Sequence, residues 1–326
     1  MKQRFGAFTR LAIAAGCVSA CTSGWGGVET RPSPAMAPVA PRSPFRVVES
    51  ASRTALPFDQ VIARAAMADV VFFGEQHDDP ETHFAEFALL EGIGRKRSQV
   101  VLSLEMFERD VQPLLDDYLA GRMSEADFLA RSRPWDRYAT DYRGLVMLAR
   151  ARGWRVVAAN VPRPIASAIG RKGLAAIDTL PPSSRTWLAD TFSCPNDAYY
   201  TRFAQEMTGH SAGGGPPTAA DSAGMLAMTQ RFYEAQCIKD ETMAESIVRA
   251  LGHPGGERIV VHFNGSFHSD YGQGTAQRVS RRFPDVRRLL ITAVPVIDPA
   301  TAALGEHGAR ADYVIFTRAP EKKPDG

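Results

Sequence analysis

The chain has 326 residues, of which 44% are hydrophobic and 23% are charged. This length and composition exclude a chain that is disordered throughout, because they allow a core large enough for one sizeable domain or two small ones. The formal net charge of +2 gives no support to a nucleic-acid partner, since nucleic-acid binding proteins concentrate Lys and Arg on one face.

The first twenty residues combine a basic start with a short apolar run from Leu11 and then small residues. This pattern is typical of a secretory signal, and the run is too short to span a membrane. Val18-Ser19-Ala20-Cys21 resembles the bacterial lipobox, so we expect residues 1–20 to be a lipoprotein signal peptide and Cys21 to carry acyl chains. By resemblance to sorted lipoproteins, Thr22 rather than Asp after Cys21 favours the outer membrane, and the family resemblance described below implies that the chain faces the periplasm. The alternative is a plain export signal.

Residues 21–57 are rich in Pro, Ser, Gly and Ala, a composition that favours an extended chain over a packed core. We expect them to form a lipid-anchored tether, followed by one domain at residues 58–318 and a disordered tail at residues 319–326. The domain contains Cys194 and Cys237. Because an exported chain can form disulfides, a bridge is one interpretation of this pair, and two buried free thiols are the other.

Six short, β-branched runs alternate with longer helical patterns in this domain. Continuous apolar runs of this length are typical of strands that are covered on both faces. The pattern predicts an α/β fold with a mostly parallel central sheet flanked by helices, and a helical insertion between the third and fourth strands at about residues 164–253. The predicted strands are residues 69–73, 100–104, 155–159, 258–263, 288–293 and 313–317.

Polar side chains follow four of the predicted strands. In an open α/β sheet, ligands bind beyond the carboxyl ends of the strands, so we expect these side chains to meet along one edge. His83 comes later, inside the following helix, and we expect it to be a less direct ligand than His77. In chain order, the strand-end residues are Glu75 and His77, Glu105, Asn160 and Arg163, and His268.

Several motifs together resemble the ChaN-like haem-binding lipoproteins, over most of the chain after the tether. The blocks GExH and GxxH alone are also similar to a wider superfamily that includes erythromycin esterase and TraB/Tiki-type proteins. The motifs that carry the nearer resemblance are GEQHDD from Gly74, TH at 82–83, LEMFERDVQ from Leu104, RPW at 133–135, NVPR at 160–163 and GSFH from Gly265.

The resemblance implies an outer-membrane lipoprotein that binds haem, for iron uptake or haem handling. It also implies a tyrosine on the iron, a homodimer that holds two stacked haems, and an outer-membrane haem receptor as a partner. A phenolate is a hard, anionic ligand that suits ferric iron. We predict Tyr199 or Tyr200 as this ligand, because they lie in the helical region that could cover a flat group; the other interpretation is an ordinary aromatic pair in the core. The alternative ligands are Tyr138 and Tyr142, and the remaining predicted haem-binding residues are Arg163, His210 and His268.

The strand-end residues also admit an enzyme. Glu75, His77, Glu105 and His268 could hold a divalent metal that activates a water molecule. A His and a Glu could instead act, without a metal, as general base and orienting acid. The alternative function is therefore a hydrolase of the wider superfamily.

Overall fold

The computed structural model describes residues 45–209 and 219–319, without the side chains at 208–209 and 219–221. The predicted signal peptide, Cys21, most of the predicted tether, His210 and most of the predicted tail lie outside these residues. Among the described residues, no helix is both long enough and apolar enough to cross a membrane.

The described residues form an α/β domain built on one eight-stranded sheet with the order β2-β1-β8-β7-β3-β6-β4-β5. The six strands from β3 to β8 make five pairings with one another, and all five are parallel. The six predicted strands are present as β3 to β8. The strands are β1 (Arg46–Glu49), β2 (Thr54–Leu56), β3 (Val70–Glu75), β4 (Gln99–Glu108), β5 (Arg155–Asn160), β6 (Arg258–Gly265), β7 (Arg288–Val296) and β8 (Tyr313–Arg318).

The first two strands correct the predicted start of the domain. β1 pairs antiparallel with β8, with Arg46 opposite Phe316, and β2 pairs antiparallel with β1. The sheet is therefore mixed, although mostly parallel. The composition of residues 21–57 suggested a tether throughout, but Val47 and Val48 are buried against the last strand. The domain begins before residue 58, because a four-residue apolar strand suffices to extend an existing sheet edge.

Helices cover both faces of the sheet, as an alternating strand–helix order predicts. Among the described residues, four α-helices, the last of them α9, lie between β5 and β6, in the region where a helical insertion was expected. The described α-helices are α1 (Phe58–Ala65), α2 (Pro80–Gly94), α3 (Gln112–Leu119), α4 (Glu125–Ser132), α5 (Arg143–Arg152), α6 (Arg163–Lys172), α7 (Pro182–Arg185), α8 (Ala198–Gly209), α9 (Ala219–Leu251) and α10 (Gly274–Arg282).

The central strand β3 divides the core into two layers. Val71 and Phe73 point to the face that packs against α1 to α5, whereas Val70 and Phe72 point to the face that packs against α9 and α10. Burial of a side chain of this size contributes about 2 kcal/mol relative to exposure. Because both faces of β3 are apolar and covered, its last residue, Glu75, is held at a defined place on the sheet edge.

Candidate functional site at the carboxyl ends of the strands

The polar tips of three neighbouring strands meet at one edge of the sheet. β6 lies between β3 and β4, so its last residue, Gly265, separates Glu75 from Glu105. The backbone N–H of Gly265 donates a 2.8 Å hydrogen bond to Glu105 Oε2. A Cβ at Gly265 would lie 2.8 Å from His77 Nε2. His77 and Glu105 therefore both lie against Gly265, and the absence of a side chain at residue 265 makes room for the imidazole.

The first histidine of the site is paired with the end of β3. His77 Nδ1 lies 2.5 Å from Glu75 Oε1, and the Tyr142 hydroxyl donates a 2.6 Å hydrogen bond to the same oxygen. The Trp135 ring meets the His77 ring edge-on at 4.9 Å. Burial lowers the pKa of His77, but the hydrogen bond and charge of Glu75 outweigh it, so the pKa is raised. The imidazole is 45% exposed, so it can meet a ligand while buried Glu75 orients it.

The second histidine follows β6 and is buried between two carboxylates. His268 Nδ1 lies 2.7 Å from Asp240 Oδ1, and its Nε2 lies 3.2 Å from Glu105 Oε1. Burial lowers the pKa of His268, but Glu105 and Asp240 together raise it to about 9. Burial alone would raise the pKa of Glu105, yet the charge of His268 holds it well below its usual range. His268 is therefore a charged, enclosed group rather than a ligand facing a pocket.

Asp240, on α9, was missed by sequence reasoning. The Tyr199 hydroxyl donates a 2.7 Å hydrogen bond to Asp240 Oδ2, and the Thr275 hydroxyl donates one of 2.8 Å to Oδ1. Tyr199 is buried, and burial together with the Asp240 charge raises its pKa well above the usual value. This environment opposes a phenolate. Tyr199, one of the two predicted iron ligands, is thus a hydrogen-bond donor inside the core.

The eight tyrosines differ sharply in exposure, and all of them lie among the described residues. Tyr271 is 46% exposed, whereas Tyr200 is half-buried with its ring 5.0 Å from that of Tyr233. Tyr138 and Tyr142, the alternative iron ligands, are buried, and burial raises the pKa of each. Sequence reasoning missed Tyr271, although it lies only three residues after His268 in the segment that follows β6. The buried tyrosines are Tyr118, Tyr138, Tyr142, Tyr199, Tyr233 and Tyr313.

Tyr271 stands between two surface cavities of about 630 and 650 Å³. Its backbone is in the left-handed region, with φ 61°, where a non-glycine residue is uncommon and strained. A 2.6 Å hydrogen bond from its N–H to the Arg310 carbonyl holds this conformation. The Arg202 guanidinium lies 5.0 Å from the Tyr271 ring centroid. The fold thus presents a phenol outward with guanidinium groups beside it.

A separate cleft of about 460 Å³ opens at His77. Trp135, Tyr142, Arg163 and Lys239 are among its lining residues. Arg163 Nε lies 2.9 Å from Glu108 Oε1, so this arginine is already paired. The cleft has no lining residue in common with the cavities at Tyr271. The predicted haem-binding residues are therefore divided: Arg163 lines the cleft, His268 is enclosed, and Tyr200 lines neither the cleft nor those cavities.

The predicted metal ligands are divided as well. Among the described residues, the potential ligand atoms that approach within 4.8 Å of one another belong to Glu75, His83 and Glu86, all of them buried. His77 and His268 instead pair individually with carboxylates. His83, which the sequence ranked below His77, thus lies in the more compact group.

Cys194 and Cys237 form a disulfide with a Cα–Cα distance of 5.7 Å. Of the two interpretations left open by the sequence, the structure has the bridge. It joins the segment before α8 to α9 near Asp240 and so ties Tyr199 and its carboxylate partner to one another.

Most of the chain matches one known protein family. Residues 61–279 match the family described as haem-binding uptake, Tiki superfamily, ChaN. The chain belongs to the ChaN family. The resemblance expected from the motifs is therefore confirmed.

This ChaN family member is also similar to solved structures and to one curated protein. The structure of ChaN of Campylobacter jejuni with cofacial haem has a TM-score of 0.60 and 16% identity, and covers 83% of this chain and 96% of that one. This likeness shows the fold. A variant of erythromycin esterase EreC in its open conformation has a TM-score of 0.41 and 10% identity, over 77% of each chain. The chloroplastic protein RETICULATA-RELATED 5 of Arabidopsis thaliana is 24% identical over 77% of this chain, which spans 34% of that protein.

Proposed function

We propose that this chain is a haem-binding lipoprotein of the outer membrane that takes part in haem or iron uptake, and that Tyr271 is the ligand of the haem iron. The observation that carries the assignment of the ligand is the exposure of this phenol, because an iron ligand must reach a group as wide as haem. Membership of the ChaN family supports haem as the bound group.

The surroundings of Tyr271 suit the two ends of a haem. Ferric iron favours a phenolate, and the carboxylates of the propionates favour guanidinium partners. Arg202 lies over the rings of Tyr271 and Phe267, 5.0 and 4.1 Å from their centroids. Arg310 pairs with the charged Asp270 at 2.6 Å, whereas Arg202 Nη2 donates a 2.8 Å hydrogen bond to the uncharged Phe267 carbonyl, so Arg202 is the better propionate partner. Phe267 supplies apolar surface beside it.

A homodimer with two stacked haems would cover the exposed porphyrin face. ChaN of Campylobacter jejuni binds haem cofacially. Tyr271 lies at an open surface, so a second copy of the chain could bring its own haem against the first. A dimer whose formation depends on hemin is the expected behaviour.

Hemin titration of the full-length chain in detergent tests the ligand. Wild type should show a saturable Soret shift and the charge-transfer band of ferric phenolate ligation. Tyr271→Phe should lose the band and bind hemin at least about tenfold more weakly, since one coordinate bond is removed. Tyr200→Phe and Tyr199→Phe are matched controls that should retain both. Loss of the band in Tyr200→Phe, with Tyr271→Phe unchanged, would return the ligand to the earlier prediction.

Lipidation at Cys21 is a separate part of the proposal. Labelling of growing cells with a radioactive fatty acid should mark wild type, whereas Cys21→Ser should carry no label and leave the membrane fraction. The label should follow the outer membrane on density separation. Equal labelling of Cys21→Ser would reject Cys21 as the modified residue.

A hydrolase is the second candidate function, favoured by the cleft at His77. Buried Glu75 orients an exposed imidazole beside a cleft of about 460 Å³, which is the arrangement of a general base. Glu105 and charged His268 lie behind it. A panel of activated esters should be hydrolysed by wild type and Tyr271→Phe but not by His77→Ala. Equal rates for all three would reject this function without affecting the haem proposal.

A further inference from the structure

Behind His77, a group of buried acidic and imidazole side chains has no assigned role in binding haem. We call it the Glu75 cluster, after its member on β3; the other members are His83 and Glu86, on α2. All three are buried, and their nearest ligand atoms lie within 4.8 Å of one another. Strand β3 and helix α2 hold these side chains together on the side of the sheet that carries α1 to α5.

Two carboxylate oxygens of the cluster have no hydrogen-bond donor unless one of the carboxyl groups is protonated and donates to the other. They are Glu75 Oε2 and Glu86 Oε1. The other oxygen of each residue is occupied: Glu75 Oε1 accepts from Tyr142, and Glu86 Oε2 lies 2.9 Å from His83 Nδ1. A buried carboxylate oxygen without a partner is costly, so each one calls for a cation or a proton between the two side chains.

The position of the proton on His83 also suits a cation in the Glu75 cluster. His83 Nε2 lies 3.1 Å from the His77 carbonyl oxygen, which can only accept, so Nε2 carries a proton and donates it. His83 Nδ1 then faces Glu86 Oε2 at 2.9 Å. A metal-ligating histidine likewise has one ring nitrogen fixed by a backbone carbonyl, and here an ion would take the place of the proton that lies between Nδ1 and Glu86. Neighbouring ligands of one metal ion are about 3 Å apart.

We propose that Glu75, His83 and Glu86 bind one divalent metal ion behind His77. Two carboxylates and one imidazole suit Mn²⁺, Fe²⁺ or Zn²⁺ better than the oxygen-only preference of Ca²⁺ or Mg²⁺. Glu75 would join the ion to His77, since one of its oxygens faces the cluster and the other accepts from the imidazole. The ion would fix the orientation of His77 from inside the protein.

The proposal differs from the metal set that the sequence suggested and does not rest on haem binding. Its competitor is a single proton shared by the two carboxyl groups. Burial and the neighbouring Glu75 charge raise the pKa of Glu86 well above its usual value, which is what a shared proton requires. The two alternatives differ in one measurable respect, because a proton needs no metal.

Metal content and thermal stability separate the alternatives. The full-length chain is purified in detergent from cells supplied with Mn²⁺ and Zn²⁺, and its metal is measured by mass spectrometry. A second sample is stripped with a chelator, and its melting is followed with Mn²⁺ or Zn²⁺ added back. Glu86→Gln is the near-isosteric test variant. Asp78→Asn is the matched control, because Asp78 is exposed and close in sequence but outside the cluster.

Wild type and Asp78→Asn should contain one ion per chain and melt at a higher temperature when the ion is restored. Glu86→Gln should contain at least about tenfold less metal and show no such rise. Its hemin titration should match wild type, which shows that the variant is folded and keeps this test apart from the haem proposal. Absence of metal in wild type, with no rise for either ion, would overturn the proposal, as would full metal content in Glu86→Gln. If Glu86→Gln does not fold, the two wild-type measurements decide.

Discussion

His268 and Asp240 lie 2.7 Å apart, Nδ1 to Oδ1, although one follows the strand β6 and the other lies in the middle of helix α9. Both are buried, and Glu105 approaches the opposite ring nitrogen of His268. The pair therefore connects the edge of the sheet to the longest helix. With Glu105, the pair forms a buried group of two carboxylates and one imidazole, and the two negative charges are compensated only when the imidazole is protonated.

The stability of the domain should fall as the pH rises through about 9. The folded pKa of His268 is about 9, above its ordinary value of 6.5. A raised pKa means that the contribution is fully present below about pH 6.5 and is lost as the pH passes the folded value. The size expected from this rise is about 3 kcal/mol. Urea unfolding from about pH 6 to about pH 10 should show this loss in wild type.

The control for this pH dependence is His268→Asn. Lysine and tyrosine side chains elsewhere titrate equally in both chains, so the difference between their stability curves reports His268 together with the groups whose pKa values its charge shifts. Those groups are Glu105, Asp240 and His77, and the His268 charge lowers the pKa of each. Parallel curves over the whole range would contradict a charged His268 in the folded chain.

Tyr199→Phe should reduce stability without affecting haem. The substitution leaves Asp240 Oδ2 without the donor that lies 2.7 Å away, at a cost of about 2 kcal/mol for a buried charged acceptor. Tyr200→Phe, at a half-buried position of the same helix, should cost less than about 1 kcal/mol. The free energy of unfolding is measured in urea, and hemin stoichiometry is measured on the same samples. A cost for Tyr199→Phe no greater than that for Tyr200→Phe would mean that the bond to Asp240 is not formed.

Gly265→Ala should displace His77. The added Cβ would lie 2.8 Å from His77 Nε2 and 3.0 Å from Cε1, too close for ordinary contact. The backbone at Gly265 has φ −54°, so any effect comes from the contact and not from backbone strain. Because the contact is with the far end of a half-exposed side chain, we expect the imidazole to turn away at a cost of less than about 1 kcal/mol, with faster acylation by diethyl pyrocarbonate.

Gly224→Ala is the matched control for this contact, because a Cβ there meets nothing within 4 Å. It lies on an exposed part of α9, where alanine should slightly stabilise the helix. A reactivity of His77 that is the same in both variants would show that the imidazole does not rest on Gly265.

The start of the domain can be tested by truncation. A chain that begins at Ser43 retains both N-terminal strands, and one that begins at Phe58 loses them. The shorter chain loses the burial of Val47 and Val48, worth about 4 kcal/mol together, and exposes the hydrogen-bonding edge of β8. It should unfold at lower urea concentration and aggregate. Equal stability of the two chains would restore the predicted boundary at residue 58.

The six strands β3 to β8 could be predicted from the sequence, because each is a continuous apolar run that is separated from the next by polar segments. The strands β1 and β2 could not, since they are short and lie in a segment whose composition resembles a linker. Their burial is decided by β8, about 260 residues away in the chain, and no local pattern reports such a partner.

The site residues, too, divide into those that a local pattern predicts and those that depend on distant partners. Glu75, His77, Glu105 and His268 were found because each follows a strand, and parallel strands end at one edge. Asp240 and Glu86 lie within helices, where periodicity indicates a buried face but not which buried carboxylate meets which histidine. The position of Tyr271, in the segment that follows β6, could have marked it as a residue near the strand ends. The sequence favours the paired tyrosines at 199–200 instead, because sequence alone does not distinguish a phenol that donates inward from one that faces solvent.

The antiparallel pairing of β1 with β8 places the beginning and the end of the domain on adjacent strands, with Arg46 opposite Phe316. A short peptide could therefore join the two ends directly, and a circular permutant opened at another surface turn would retain all the strand pairings. A reporter fused after β8 would, for the same reason, sit beside the point where the chain enters the sheet.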